Sequence, residues 1–211
     1  MQYIKPVTLQ EEKKFWRKGY RLVAGIDEVG VGPLAGPVVA CCLVCAPKFS
    51  IRESGLEKLH DSKLLTVGQR ERYAKILKTH PQIRWAIGRA YPHVIDRINI
   101  YHATRLAMMR ALEQLGFAPD FVLIDGLGRL PRCSAPQKAI VKGDRKVFSI
   151  AAASVLAKVA RDRYMRLVSK KYPQYSFEIH KGYGTKLHRH AILRHGPCPL
   201  HRRSFLHLRT Q

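Results

Sequence analysis

The stretch that most constrains this chain is Gly25-Ile26-Asp27-Glu28-Val29-Gly30-Val31-Gly32-Pro33, where an apolar run ends in two adjacent carboxylates and then in glycines and a proline. Leu22-Val23-Ala24 reads as a buried strand entering the motif, and the Gly/Pro cluster reads as the turn that ends it. Consecutive strand side chains point to opposite faces, so Asp27 and Glu28 can serve one object only if the backbone twists or ends there. Gly30 and Gly32 permit that, because without a Cβ a ligand or a second backbone can approach their N–H groups. Taken alone, an Asp-Glu pair at a strand end is most simply solvated. Later segments of the chain change that reading.

At 211 residues, 46% hydrophobic and 25% charged, the chain has the length and balance of one globular domain with a full core. Its 38 Lys and Arg against 15 Asp and Glu leave a formal charge of +23, which favours a polyanionic partner, most simply nucleic acid. No basic amphipathic stretch directs that charge to a membrane surface. The five cysteines are odd in number, and Cys41 and Cys42 should face opposite sides of a strand. Small buried hydrophobes fit that pattern better than a zinc site or a disulfide framework, and free thiols point to a reducing compartment. The N-terminus, with Glu11, Glu12, Lys13 and Lys14 together, lacks the apolar core of a signal peptide. The longest apolar run, Leu34 to Pro47, is broken by Gly36 and Pro37 and falls short of the roughly 20 residues of a spanning helix. A cytoplasmic location is expected.

Thr8 with Glu11 suggests a capping box for a short first helix that Gly19 ends. Strands are expected over Leu22 to Glu28, Val38 to Cys45 and Ile83 to Tyr91, the last on the alternation of Ile83, Trp85 and Ile87. Thr66 with Gln69 opens a helix toward Lys78, and a long helix covers Ile98 to Leu115. Phe121-Val122-Leu123-Ile124 is a short buried strand that delivers Asp125 to its end. An alanine-rich helix follows from Ser149 to Lys171, and a last one from Thr185 to Arg194, stopped by Gly196 and Pro197. The expected class is α/β, one mixed sheet flanked by helices, with a helical C-terminal portion.

Asp125 at the carboxyl end of its strand, followed by Gly126, lies where open α/β sheets place their ligands. Asp144 follows Lys142-Gly143 shortly before the alanine-rich helix. Each alone is equally a turn or helix-start residue. Together, Asp27, Glu28, Asp125 and Asp144 put carboxylates at element ends in a chain otherwise short of acid. Oxygen-only ligands suit Mg²⁺ or Mn²⁺ rather than zinc, and in a cationic protein they imply metal-assisted phosphate chemistry, with two ions about 3.5–4 Å apart in the strongest form.

The chain resembles the ribonuclease HII family, the bacterial type 2 ribonucleases H, over nearly its whole length. The resemblance rests on Gly25-Ile26-Asp27-Glu28-Val29-Gly30, Gly32-Pro33-Leu34-Ala35-Gly36-Pro37-Val38-Val39, Asp61-Ser62-Lys63-Leu64-Leu65 and Asp125-Gly126. It continues in Val141-Lys142-Gly143-Asp144, Ile150 to Val159, Gly182-Tyr183-Gly184-Thr185 and His201-Arg202-Arg203-Ser204-Phe205. It implies a ribonuclease H-like fold in a single domain over 1–211, with a catalytic core about 20–170 and a helical substrate-binding region about 171–211. The implied activity is cleavage of RNA in RNA–DNA hybrids and on the 5′ side of ribonucleotides embedded in duplex DNA, leaving 3′-hydroxyl and 5′-phosphate ends. The implied metal ligands and catalytic residues are Asp27, Glu28, Asp125 and Asp144, with Mg²⁺ or Mn²⁺ as cofactor.

The resemblance further implies that Lys63 lies near the substrate phosphates and Tyr183 at the RNA–DNA junction, with Arg202 and Arg203 as further phosphate contacts. The chain is expected to act as a monomer. It departs from the family at Gly30-Val31-Gly32, where Gly-Arg-Gly is usual in the turn that reads the ribose 2′-hydroxyl. Val31 removes a guanidinium and with it charge-assisted contacts. Two alternatives remain at this stage. A type 3 ribonuclease H shares the fold, but its usual extra N-terminal domain does not fit in the 26 residues before Asp27. A non-catalytic hybrid-binding protein explains the charge but gives no use to carboxylates that repel phosphate.

Overall fold

A computed structural model describes residues 6–126 and 128–206. Seven helices and strands open the chain in the order α1 (Gln10–Trp16), β1 (Val23–Val29), β2 (Val38–Cys45), α2 (Val67–Thr79), β3 (Ile83–Ala90), α3 (Pro92–Glu113) and β4 (Phe121–Asp125). They are followed by β5 (Gln137–Ile140), α4 (Phe148–Ser169), α5 (Phe177–His180) and α6 (Lys186–His195). The strands form one mixed sheet in the order β3-β2-β1-β4-β5, antiparallel from β3 to β1 and parallel from β1 through β5.

Alternation along β2 explains the layering. Val39, Cys41, Leu43 and Cys45 pack with α2 and the alanines of α4, while Val38, Ala40, Cys42 and Val44 pack with α3 on the other face. Cys41 and Cys42 do face opposite sides, and all five cysteines are free thiols. Small residues allow α4 to approach the sheet closely: a Cβ on Gly25 would overlap the Ser149 backbone and hydroxyl. A satellite core of Met165, Tyr175, Phe177, Ala35 and Ala191 joins the C-terminal helices to α4.

Several expectations are revised. Thr8 does not cap α1: Leu9 stands at the N-cap, Thr8 bridges Val147 in parallel, and Glu11 pairs with Lys14 and Lys138 instead. Tertiary pairing has displaced a local cap whose net worth is about 1 kcal/mol. The long helix starts at Pro92 rather than Ile98 and breaks at Asn99, whose φ is 61° and whose Oδ1 accepts from His102 N–H at 3.1 Å, capping the second half. β5 and α5 were not expected, because Gln137-Lys138-Ala139-Ile140 has no alternation and α5 is four residues long. The Thr66–Gln69 capping box is present with both of its hydrogen bonds.

Candidate active site

The site forms where the parallel pairing of β1 with β4 ends. Ile26↔Ile124 is the last pair between these two strands, so Asp27 and Asp125 follow it side by side where the strands part. Asp27 is opposite Cys41 in the register and therefore shares its face, toward α4. Asp144 arrives from the 3₁₀ turn Gly143–Arg145 just before α4, and the Gly143 N–H donates to Asp125 Oδ1 at 2.6 Å, clamping that turn to the strand end. Asp27, Asp125 and Asp144 each offer a carboxylate oxygen, all within 4.8 Å of one another. Among the described residues this is the one group of acids, cysteines or histidines that could hold a metal ion.

Glu28 does not join that triad. Strand alternation turns it to the α3 face, where with Asp125 it lines a cleft of about 420 Å³ bordered by Tyr101, Arg105 and Arg129. The two adjacent carboxylates thus leave opposite faces of the strand, with Asp125 neighbouring both. They remain coupled electrically. Burial and the charges of Glu28 and Asp125 raise the pKa of Asp27, and burial with Asp125 pushes Glu28 up to about 7. Asp144 is raised by burial, Asp125 and Asp61. Crowded, desolvated carboxylates of this kind relieve their repulsion by binding protons or a hard cation, which is the fit that an oxygen-only donor set predicts.

Lys63 lowers the pKa of both Glu28 and Asp144, which places its charge by the carboxylates. The residues that orient it lay unassigned in the same sequence motif. Asp61, buried, accepts from Lys63 N–H at 3.0 Å and pairs with Arg145 at 3.2 Å, tying the loop before α2 to the turn that carries Asp144. Ser154 on α4 lowers the pKa of Asp27 against the effects that raise it, and its hydroxyl lies 2.9 Å from that of Ser62. Spacing alone could not reveal this chain, since its members lie 92 residues apart.

The turn Gly30-Val31-Gly32 is held from behind. Gly30 has φ +88°, and a Cβ there would overlap the Arg161 guanidinium. Val31 is 39% exposed, and Gly32 has open space around it. Arg202, expected as a phosphate contact, is instead fully buried: it donates to the carbonyls of Gly30, Val31 and Gly36. A long stem from a short C-terminal segment reached an interior lined by carbonyls, which a linear reading of Arg202-Arg203 cannot see. Arg161, also buried, donates to Ala35, Pro37 and Lys181 carbonyls at 3.0, 3.0 and 2.9 Å. Arg203 stays exposed, its backbone N–H bound to Asp96 Oδ2. Tyr183 is 41% exposed, with Lys158 and Arg161 each 5.8 Å from its ring centre.

The ribonuclease HII family profile matches residues 24–208. The chain belongs to the ribonuclease HII family. It is 50% identical over 203 residues to ribonuclease HII of Desulfitobacterium hafniense (strain DSM 10664 / DCB-2), covering 96% of this chain and 75% of that protein. It is 48% identical over 196 residues to ribonuclease HII of Caldicellulosiruptor saccharolyticus, covering 92% of each. Among solved structures, the ribonuclease H2 of Pyrococcus horikoshii OT3 superposes with a TM-score of 0.71 at 27% identity, over 87% of this chain and 93% of that one. Bst-RNase HIII in complex with Mn²⁺ shares the fold, with a TM-score of 0.65 at 17% identity over 88% of this chain and 67% of its own. The protein is a ribonuclease H endonuclease, a hydrolase of RNA–DNA hybrids, and neither the type 3 nor the non-catalytic alternative is favoured.

Proposed function

We propose that this ribonuclease HII cuts the RNA strand of hybrids and the 5′ side of ribonucleotides embedded in duplex DNA, leaving 3′-hydroxyl and 5′-phosphate ends. The observation that carries the reading is the Asp27, Asp125 and Asp144 triad, with ligand oxygens within 4.8 Å where the pairing of two parallel strands ends. These three would hold Mg²⁺ or Mn²⁺, with Glu28 joining from the α3 side when a second ion is bound. The Mn²⁺ held by Bst-RNase HIII, a protein of the same fold, supports that choice. When bound, such ions supply an activated water and charge stabilisation at the phosphoryl group.

The chain's own residues do the positioning. The Glu28 and Gly143 N–H groups orient Asp27 and Asp125, and Lys63 offers its charge to the substrate phosphate beside the cluster. Because Arg202 engages the Gly30 and Val31 carbonyls inward, the turn offers N–H groups outward, suited to a ribose 2′-hydroxyl. Tyr183 would pack on the sugar at the junction and exposed Arg203 would meet phosphate, in a helical substrate-binding region about 171–211 beside a catalytic core about 20–170. Residues 207–211 of that region lie outside the described structure. The enzyme acts as a monomer in a reducing, cytoplasmic setting, a placement that the five free thiols support; no described helix is long and apolar enough to cross a membrane.

The test is cleavage of a DNA duplex with one ribonucleotide beside a continuous RNA–DNA hybrid, each with Mg²⁺, with Mn²⁺ and with chelator. Metal-dependent cuts 5′ of the single ribonucleotide are expected. Cleavage of the hybrid alone would overturn the embedded-ribonucleotide reading, and cleavage in chelator would overturn the metal assignment.

A further inference from the structure

Three histidines of the C-terminal portion, His180, His188 and His201, are buried together against Tyr175 and Phe177. The His180 and His188 rings stack at 4.3 Å, and those of His188 and His201 lie 5.2 Å apart. Their nitrogens do not converge as metal ligands do. His188 and His201 bond in line, and the direction of that line is fixed from the Tyr183 end.

At one end His188 Nδ1 lies 2.9 Å from the Tyr183 carbonyl, which can only accept, so Nδ1 carries the proton and Nε2 is left as an acceptor. His201 Nε2, 3.0 Å away, must then be the donor to His188 Nε2, which leaves His201 Nδ1 as an acceptor. At the other end the Cys198 N–H donates to that same His201 Nδ1 at 2.9 Å; the Cys198 carbonyl lies farther from it, at 3.2 Å, and already accepts the His201 backbone N–H at 2.9 Å. The Tyr183 end fixes the direction of the line, and the nearer contact at the Cys198 end agrees with it. His180 is likewise determined: its Nδ1 accepts from the Gly182 N–H at 3.1 Å, so its Nε2 donates to the Tyr175 carbonyl at 2.7 Å.

We propose that His201 and His188 are positioning residues, an ordered relay from the Cys198 N–H to the Tyr183 carbonyl that sets where the exposed Tyr183 ring stands. The proposal rests on the reading of Tyr183 as a substrate contact. The ring is 41% exposed, so its placement depends on its backbone. That backbone is gripped from this stack: Tyr183 N–H donates to the His180 carbonyl, Gly182 N–H to His180 Nδ1, and the Tyr183 carbonyl accepts from His188 and from Thr185 N–H. The far end reaches the ribose-reading loop, because His201 bridges Ala35 and the Gly182 carbonyl accepts from Leu34 and Ala35 N–H. The relay therefore couples Tyr183 to the loop that follows Gly30-Val31-Gly32.

Every ring nitrogen without a proton already accepts a hydrogen bond, so protonating any of the three rings would set two donors face to face. Burial holds His188 down to about 4 and lowers His180 and His201, which keeps the relay intact through the neutral range. The titratable groups facing the stack are Glu178 and Lys181 at His180, Cys198 and Tyr175 at His201, and His195 against Tyr175.

Nitrogen-15 NMR of the histidine side chains in the full chain tests the relay without a variant. Near neutral pH, His188 should be the neutral Nδ1–H tautomer and His201 the neutral Nε2–H tautomer. The opposite tautomer at His188, or a charged ring, would overturn the proposal. Its functional half is read from KM and kcat on a duplex with one ribonucleotide. His188→Leu should raise KM by about tenfold, the scale of one lost hydrogen bond, with the loss falling on KM rather than kcat. His188→Asn, whose amide can still donate to the Tyr183 carbonyl, should recover most of it, and in a Tyr183→Ala background His188→Leu should add nothing. An equal loss in that background would show that the histidines act elsewhere. An unchanged KM in Tyr183→Ala itself would remove the substrate role of Tyr183 and the positioning role with it, whatever tautomers the spectra show.

Discussion

Asp125 links the parts of the site, since its Oδ1 accepts from Gly143 while its charge raises Asp27, Glu28 and Asp144. Asp125→Asn should abolish cleavage yet leave hybrid binding largely intact, because the carboxylate serves the metal whereas the basic surface holds the duplex. Near-normal turnover in a cleavage assay would refute that assignment. Val31 is a different case. Its exposed side chain and ordinary φ leave room for arginine without strain, so Val31→Arg should tighten junction binding by about 1–2 kcal/mol, the value of a charge-assisted hydrogen bond. The salt slope of binding should steepen by about one counterion. Unchanged affinity and slope in salt titrations would mean that the turn reads ribose through its backbone alone.

At the scale of elements, the Gly30-Val31-Gly32 turn and the loop after it are held by cations that bond to no carboxylate among the described residues: Arg161 and Arg202 engage six carbonyls between them. Burial lowers the pKa of both arginines, first through desolvation. Removing one guanidinium would leave buried acceptors unsatisfied, so Arg202→Met should destabilise by about 3–5 kcal/mol in urea unfolding. A loss under about 1 kcal/mol would show that water replaces the guanidinium. The contact of α4 with β1 is equally intolerant. Gly25→Ala would drive a methyl into the Ser149 backbone, and since Ser149 lies on the helix that carries Ser154, both stability and activity should fall. Activity unchanged at full stability would show that α4 can shift without disturbing Asp27.

For the whole molecule, two sets of groups pull stability in opposite directions with pH. Asp27, Glu28 and Asp144 have raised pKa values in the folded state, so without metal the fold holds protons that the unfolded chain releases. Their contribution is complete below the ordinary carboxylate range and is lost as pH rises through about 7 for Glu28. The buried histidines act the other way: their contribution is present above the ordinary 6.5 and is lost as pH falls toward about 4 for His188. A divalent cation should offset only the first set. The rise in Tm on adding Mn²⁺ should therefore grow from mildly acidic to mildly alkaline pH, as should activity. A metal increment independent of pH in thermal melts would show that the carboxylates do not share the ion.

Much of this was legible in the residues themselves. Apolar runs marked β1 and β2, alternation of Ile83, Trp85 and Ile87 marked β3, the Thr66–Gln69 pair marked the start of α2, and strand ends running into glycine-containing turns marked Asp27 and Asp125. Those signals are local, set by periods of 2 and 3.6 residues and by caps within one turn. What packing alone decided is long-range. Only the parallel register of β1 with β4 brings Asp27 beside Asp125, only the sheet's two faces part Glu28 from Asp27, and only the folded interior converts Arg202 from a surface cation into the anchor of Gly30 and Val31. A residue type states which bonds a side chain can make, but its partners are chosen by the tertiary structure, because burial requires every polar group to be satisfied by whatever lies nearest in space.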